Sequence, residues 1–249
     1  MRYFLELSYN GKKYHGWQNQ PNAISVQEVL EKALSRLLSD DIAIVGAGRT
    51  DAGVHALQMF AHFDTGKDFL EKDLIYKLNS FLPKDIAIHD LFKVNSTAHA
   101  RFDATSRSYI YRIALKKNAF NSEMAYYLKT PLDVDKMKQA ATILLEYKDF
   151  QCFSKSNTDV KTYNCAIEAA NFTIKEDELH FYIKADRFLR NMVRAIMGTL
   201  INVGLGKIAV HDVHAIIRSK NRSEAGYSVP AHGLYLKEVT YPENIKKLD

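Results

Sequence analysis

The segment at residues 46–55 concentrates residue types that can do chemistry on a backbone that another molecule can approach closely. Three glycines, Gly46, Gly48 and Gly53, surround Arg49 and Asp51. Glycine permits positive φ angles and leaves room for a second chain. An arginine two residues from an aspartate favours the ionised, nucleophilic form of the carboxyl group. One interpretation is a functional site, and the other is a structured loop with a surface ion pair.

Other motifs in the chain resemble cofactor or metal sites but lack the required context. Residues 204–209 match G-x-G-x-x-A, yet they follow a predicted helix instead of a strand, so a dinucleotide site is not expected. His211 and His214 are three residues apart without a third ligand. Cys152 and Cys165 form no C-x-x-C pair and are expected to be buried thiols. We therefore expect no metal and no organic cofactor.

The first 104 residues are expected to form a β-α-β-β-α-β unit that positions this glycine-rich loop. Ser25 and Glu28 form a capping box before an amphipathic helix, and Asp68 is predicted to start a second helix. The loop falls between the second and third strands. Hydrophobic patterning predicts strands at residues 4–9, 42–45, 57–63 and 86–92.

The remaining residues repeat this pattern with one added helix. Helices are predicted after Asp133 and at residues 189–203 and 211–218, and strands at 109–115, 167–174, 179–185 and 234–241. Each half matches the ferredoxin-like, split βαβ arrangement. We predict an α+β fold of two such halves, residues 1–104 and 105–249. Their antiparallel sheets would lie side by side with helices on one face, and a site is expected in the cleft between the halves.

Composition places the chain among globular proteins with a mild basic surplus. Of 249 residues, 34 are Lys or Arg and 29 are Asp or Glu, a net charge of +5. Residues 1–104 carry 12 basic and 13 acidic residues, whereas residues 105–249 carry 22 and 16. A nucleic acid, if bound, should therefore contact the second half more. No signal-peptide core or apolar run of about 20 residues is found, so a soluble, cytoplasmic protein without membrane contact is expected.

Several motifs occur in order along the chain and together resemble one family. Residues 14–20 read Y-H-G-W-Q-N-Q, residues 47–56 read A-G-R-T-D-A-G-V-H-A, and residues 99–104 read H-A-R-F-D-A. The later ones are R-S-Y-I-Y at 107–111, M-V-R at 192–194 and G-L-Y-L at 233–236. The set resembles the signatures of the tRNA pseudouridine synthase A family. This resemblance implies two ferredoxin-like subdomains around a cleft, in agreement with the doubled pattern.

The resemblance also implies a role for each matching residue. Asp51 matches the catalytic aspartate, Arg194 the basic residue that pairs with it, and Tyr109 the tyrosine that stacks on the target base. Arg49 matches the arginine implicated in extruding the uridine, and Leu234 the apolar residue beside the base. The same motifs add three expected substrate-binding residues: Thr50, His55 and Arg101.

The implied reaction isomerises uridine to pseudouridine at positions 38, 39 and 40 of the tRNA anticodon arm. The target base must leave its stack before its glycosidic bond is reachable, and stacking on an aromatic ring offsets part of that cost. Asp51 can attack the sugar C1′ or the uracil C6, or abstract the proton at C2′, and the sequence leaves these routes open. The family acts as a homodimer, so we expect one here.

Two other functions are compatible with parts of the sequence. A non-catalytic RNA-binding protein of the same fold would keep the basic second half but would have no use for Asp51. A metal enzyme would use His55, His62 and His99 as ligands and would lose activity with a chelator. An Asp51→Asn variant that binds tRNA but forms no pseudouridine would distinguish the catalytic interpretation from the first of these.

Overall fold

The computed structural model describes residues 1–155 and 160–245, which form a mixed α+β structure. The strands in this part are β1 (Arg2–Tyr9), β2 (Ile44–Gly46), β3 (His55–Asp64), β4 (Ile86–Val94), β5 (Ser106–Ala114), β6 (Tyr126–Tyr127), β7 (Ile167–Lys175), β8 (Glu178–Ala185) and β9 (Leu234–Thr240). The helices are α1 (Val26–Leu38), α2 (Glu71–Phe81), α3 (Val134–Ile143), α4 (Met192–Gly204) and α5 (Asp212–Ser219). The predicted α+β class is confirmed.

The chain divides into two compact units. The first unit comprises Met1–Thr105 and Leu236–Asp249, and the second comprises Ser106–Tyr235. Most of β9 therefore belongs to the first unit, although it is the last strand of the chain. None of the helices in the described residues is long and apolar enough to cross a membrane.

Antiparallel pairing in the first unit gives the strand order β4-β1-β3, with β2 and β9 both beside β3. Both faces of β1 are covered, because Phe4 and Leu5 point to opposite faces and each is fully buried. On the Phe4 face, the ring of Tyr241 packs edge-on with a centroid separation of 5.4 Å. The helices α1 and α2 contact each other, and α2 also contacts β4.

The sheet of the second unit has the order β5-β8-β7, with antiparallel pairing. The short strand β6 adds to β5 in parallel, a pairing that the sequence did not predict. Helix α4 is buried along most of its length, and α3 packs against both α4 and β7. Cys152 and Cys165 are buried free thiols, as predicted.

Two helix caps that the sequence predicted are confirmed. The hydroxyl oxygen of Ser25 accepts the backbone N–H of Glu28 at 3.1 Å, and α1 begins at the next residue after Ser25. A carboxylate oxygen of Asp133 accepts the backbone N–H of Lys136 at 3.1 Å, and α3 begins after it.

Two predicted helix starts are wrong for local backbone reasons. The apolar pattern predicted a helix from residue 189, but Asn191 is left-handed with φ of 66°, so α4 begins only at Met192. Asp68 was expected to start the second helix, but Leu70 is extended with φ of −87° and ψ of 127°, so α2 begins at Glu71.

Candidate active site

The Asp51 loop, residues 47–54, connects the end of β2 to the start of β3. The backbone N–H of Val54 donates to the carbonyl oxygen of Asp51 at 3.1 Å, which closes a tight turn. Within it Gly53 has a φ of 77°, a conformation that glycine adopts without strain. Asp51 is half-buried and Arg49 is exposed. Both residues therefore lie where a ligand can reach them.

A neighbouring segment, residues 9–17, holds the Asp51 loop through Thr50. The backbone N–H of Trp17 donates to the carbonyl oxygen of Thr50 at 3.3 Å. The hydroxyl groups of Tyr9 and Thr50 share a hydrogen bond of 2.8 Å. Further along the loop, the N–H of Gly53 donates to the carbonyl oxygen of Tyr14 at 3.3 Å. The residue directly before Asp51 is thus fixed by both its main chain and its side chain.

Glycines allow this segment and the loop to come into direct backbone contact. A β-carbon on Gly11 would lie 1.9 Å from the carbonyl oxygen of Val54, and one on Gly16 would lie 2.3 Å from that of Thr50. Residues 14–20 carry one of the motifs of the family resemblance. The spacing of Gly11 and Gly16 is a signal of close backbone contact, but nothing in the sequence identifies the Asp51 loop as their contact.

His55 lies under the Asp51 loop at the first position of β3. Its side chain is 1% exposed, and its Nδ1 accepts the backbone N–H of Gly11 at 3.2 Å. This placement makes His55 a support that ties residues 9–17 to β3. Nearby, the hydroxyl of Tyr14 donates to a carboxylate oxygen of Asp85 at 2.6 Å, and burial together with this contact raises the pKa of Tyr14.

In the second unit, Tyr109 and Tyr111 on β5 have different surroundings. Tyr109 is half-buried, and its ring packs edge-on against Phe188 with a centroid separation of 5.1 Å. Tyr111 is fully buried, and its hydroxyl donates to the carbonyl oxygen of Pro230 at 2.8 Å. Burial raises the pKa of Tyr111. Of the two rings, Tyr109 is the one that a base can reach.

The segment Val229 to Leu234 connects the remaining predicted residues of the second unit. Arg194, in the first turn of α4, donates from Nε to the carbonyl oxygen of Val229 at 2.7 Å, and the N–H of Val229 donates back to Arg194 at 3.3 Å. Gly233 lies against the ring of Tyr111, since a β-carbon there would be 2.8 Å from the Tyr111 Cζ. Leu234 follows and is 6% exposed. Arg194 and Leu234 are thus placed by one short segment that also packs on Tyr111.

Arg101 lies in a separate part of the first unit, in a turn that follows β4. It is exposed, and its guanidinium carbon lies 5.6 Å from the ring centroid of Phe102. The rings of His62 and His99 are close to this turn and to each other, with centroids 4.7 Å apart. Arg101 therefore sits beside a cluster of rings that the sequence interpretation did not anticipate.

The three histidines considered as metal ligands are not grouped. His55 lies at the start of β3, whereas His62 lies near its opposite end. The Nδ1 of His62 already accepts the N–H of Ala100 at 3.1 Å. Across residues 1–155 and 160–245, no group of three or more His, Cys, Asp or Glu side chains is placed to hold a metal ion.

Comparison with known proteins identifies the class of protein to which this fold and loop belong. A family model described as tRNA pseudouridine synthase matches residues 7–103 and 140–242, which include Asp51 and Arg194. The chain belongs to the tRNA pseudouridine synthase family, as the motif resemblance predicted.

Relatives match over nearly the full length of the chain. A protein named tRNA pseudouridine synthase A from Parabacteroides distasonis is 51% identical over 247 residues, covering 98% of this chain and 97% of the relative. One of the same name from Bacteroides fragilis is 52% identical over 247 residues, covering 98% of both. A third from Thermoanaerobacter sp. is 40% identical over 244 residues, covering 95% of this chain and 98% of the relative.

Proposed function

We propose that this chain isomerises uridine to pseudouridine in tRNA, with Asp51 as the catalytic residue. The observation that carries the proposal is the construction of the Asp51 loop. Two groups of the neighbouring segment hold Thr50, the backbone N–H of Trp17 and the hydroxyl of Tyr9, while Asp51 itself stays half-exposed. A protein that only bound RNA would have no use for an accessible carboxylate on a loop held in this way. The names of the relatives support the same substrate class.

The chemistry needs a carboxylate and a base that has left its stack. The bond between uracil N1 and the sugar C1′ breaks, the uracil rotates, and a bond forms between C5 and C1′. The C5 proton is lost to solvent and N1 gains one, so the reaction is balanced without a redox partner. Asp51 serves as nucleophile at C1′ or C6, or as the base at C2′, and these routes remain alternatives.

The other predicted residues belong to the same proposal. Tyr109 would stack on the extruded uracil, which is supported by its half-buried ring at the surface of β5. Arg194 would supply the basic partner of the catalytic carboxylate, and Leu234 the apolar contact to the base. Arg49, exposed on the Asp51 loop, would enter the RNA to displace the uridine. Thr50 and His55 would act by holding the loop, and Arg101 by contacting the RNA.

Several broader expectations extend this proposal. The modified uridines would be at positions 38, 39 and 40 of the anticodon arm, and the enzyme would act in the cytoplasm as a homodimer without metal or organic cofactor. Residues 1–104 and 105–249 would be two ferredoxin-like halves. The strand order β4-β1-β3-β2 of the first unit supports this description, since it is the order of a split βαβ sheet.

The decisive experiment is an Asp51→Asn variant assayed with tRNA that carries tritium at uracil C5. We expect tritium release to fall below detection while the variant binds tRNA with unchanged affinity, because the amide keeps the shape of the carboxylate but cannot act as nucleophile or base. Asp41→Asn is the matched control, since Asp41 is an exposed aspartate outside the loop. Unchanged tritium release from the Asp51→Asn variant would overturn the catalytic assignment.

Two further measurements test the broader expectations. Mapping pseudouridine in tRNA from cells that lack the protein should show losses at positions 38, 39 and 40 and nowhere else. Adding a chelator to the purified enzyme should leave its rate unchanged. A rate that fell with chelator and recovered with a divalent metal would contradict the proposal that no metal is needed.

A further inference from the structure

The turn at residues 98–103, here called the Phe102 turn, is fixed to the first unit at several points. A guanidinium nitrogen of Arg2 donates to the carbonyl oxygen of Ala98 at 2.8 Å. The carbonyl oxygen of Ala100 accepts the hydroxyl of Tyr241 at 2.6 Å, and the Ala100 N–H donates to His62 at 3.1 Å. Groups from both ends of the chain and from β3 therefore hold this short turn in one conformation.

The same turn is also closed by its own side chains. The backbone N–H of His99 donates to a carboxylate oxygen of Asp103 at 2.8 Å. The Nδ1 of His99 accepts the N–H groups of Arg101 and Phe102 at 3.1 and 3.3 Å. Burial, with the nearby Arg2 guanidinium, lowers the pKa of His99. The two N–H groups that Nδ1 accepts fix the orientation of the His99 ring.

Phe102 is presented to solvent by this rigid support. Its residue is 73% exposed, whereas Ala98 and Ala100 beside it are 5% and 0% exposed. The inner face of its ring packs on His99, with centroids 4.2 Å apart and planes inclined by 34°. His99 in turn packs against His62 at 4.7 Å. The three rings form a continuous row, edge-on between the two histidines, that begins in the core and ends at the exposed ring of Phe102.

A cation accompanies the exposed ring. The guanidinium carbon of Arg101 lies over the Phe102 ring, 5.6 Å from its centroid, and both residues are exposed. An aromatic face beside a cation is complementary to an unpaired nucleotide, because the base stacks on the ring while the phosphate meets the charge. A second protein chain would be expected to bury a wider apolar area than one ring and its arginine.

We propose that Phe102 and Arg101 form a site for an unpaired nucleotide of the RNA substrate, separate from the one that the catalytic residue uses. The inference rests on the proposed function, since it takes the ligand to be RNA. Stacking on an aromatic ring does not depend on the identity of the base, so the site contributes affinity and orientation and not sequence selection. Phe102 is then a binding residue that takes no part in the chemical step.

The test compares Phe102→Leu with Phe102→Trp, using an unmodified tRNA transcript as the ligand. Leucine keeps the apolar volume but removes the aromatic face, so we expect the dissociation constant to rise about 5- to 50-fold, while tryptophan keeps wild-type affinity. At saturating tRNA the Phe102→Leu variant should retain the wild-type kcat, with the whole effect in KM. Tyr76→Leu is the matched control, because Tyr76 on α2 is 75% exposed and no other ring of the described residues packs on it.

Two outcomes would overturn the proposal. One is unchanged tRNA affinity in Phe102→Leu. The other is a change in the sedimentation coefficient of the free protein, which would show that Phe102 lies between copies of the chain. The Asp51→Asn experiment measures a different quantity, tritium release, and that variant is expected to bind tRNA normally. An active Asp51→Asn variant would refute the catalytic assignment without altering the affinity measured for Phe102→Leu.

Discussion

A β-carbon on Gly16 would lie 2.3 Å from the carbonyl oxygen of Thr50, the residue directly before Asp51. Gly16 also has a φ of 88°, so two independent constraints require glycine at this position. The proposed catalytic carboxylate is therefore positioned from outside its own loop, by a residue 35 positions earlier in the chain.

Gly16→Ala should displace the Asp51 loop and slow the reaction. The methyl group must push Thr50 away, and a shift of about 1 Å at a catalytic group can cost about 100-fold in rate. We expect kcat to fall at least 10-fold with a smaller change in KM for tRNA. Backbone strain at the positive φ should lower the free energy of unfolding by about 1–3 kcal/mol. Steady-state kinetics and denaturant unfolding measure the two effects.

Gly66→Ala is the control for the Gly16 variant. The φ of Gly66 is not positive, and apart from its two chain neighbours no atom of the described residues lies within 4 Å of a β-carbon built there. Its kinetics should match those of the wild type. If Gly16→Ala lost stability but kept the wild-type kcat, the segment would be a structural support without a part in positioning Asp51.

Substitutions at Tyr109 and Tyr111 should have different effects, the first on activity and the second on stability. Tyr109→Leu removes the half-buried ring proposed to stack on uracil, so kcat/KM should fall about 10- to 100-fold, with stability within about 1 kcal/mol of the wild type. Tyr111→Phe leaves the part-buried carbonyl of Pro230 without its hydroxyl partner and should cost about 1–2 kcal/mol of unfolding free energy. A folded Tyr109→Leu variant that kept the wild-type kcat/KM would contradict the stacking role.

Features of the fold with a local cause could be predicted from the sequence. The caps at Ser25 and Asp133 were found because the capping oxygen and the N–H it accepts are three residues apart. The hairpin of β7 and β8 was found because turn residues separate two alternating segments. The Asp51 loop itself was noticed because its glycines, arginine and aspartate are adjacent in the chain.

Features with a non-local cause could not be predicted. The contact of Gly16 with Thr50 and the hydrogen bond of Gly11 to His55 join residues that no sequence pattern connects. The strand β6 has only two residues, too few for any alternation to show. The early start predicted for α4 failed because an apolar helical pattern continues through Asn191, whose positive φ interrupts the helix.

His62 should make the stability of the first unit depend on pH. Burial, followed by the nearby Arg2 and His99, lowers the pKa of His62 to about 4. A histidine in the unfolded chain has a pKa of about 6.5. Between about pH 6.5 and 4, His62 therefore binds a proton in the unfolded chain but not in the folded one. The stabilisation from a neutral His62 is present above about pH 6.5 and is lost as the pH falls toward 4. We expect about 2 kcal/mol to be lost between pH 7 and 5.

His62→Asn is the variant that checks this pH dependence. The amide oxygen of asparagine can accept the N–H of Ala100 in place of Nδ1, but it does not titrate. Unfolding free energies of both proteins at pH 7 and 5 give the difference due to His62, since the other histidines are present in both. An equal decrease in the two proteins would show that His62 does not carry the effect.

Charge reversals should weaken tRNA binding more in the second unit than in the first. Ser106–Tyr235 contains 19 basic and 13 acidic residues, whereas the rest of the chain contains 15 and 16. Phosphate contacts dominate the affinity for RNA and release counterions. Arg190→Glu should raise the dissociation constant about 10-fold near 0.1 M salt, whereas Lys72→Glu should change it less than about 2-fold, although both residues are exposed.

Filter binding over a series of salt concentrations should give a shallower slope for Arg190→Glu only. Equal weakening by the two reversals would show that the surplus charge of the second unit does not determine where the tRNA backbone binds.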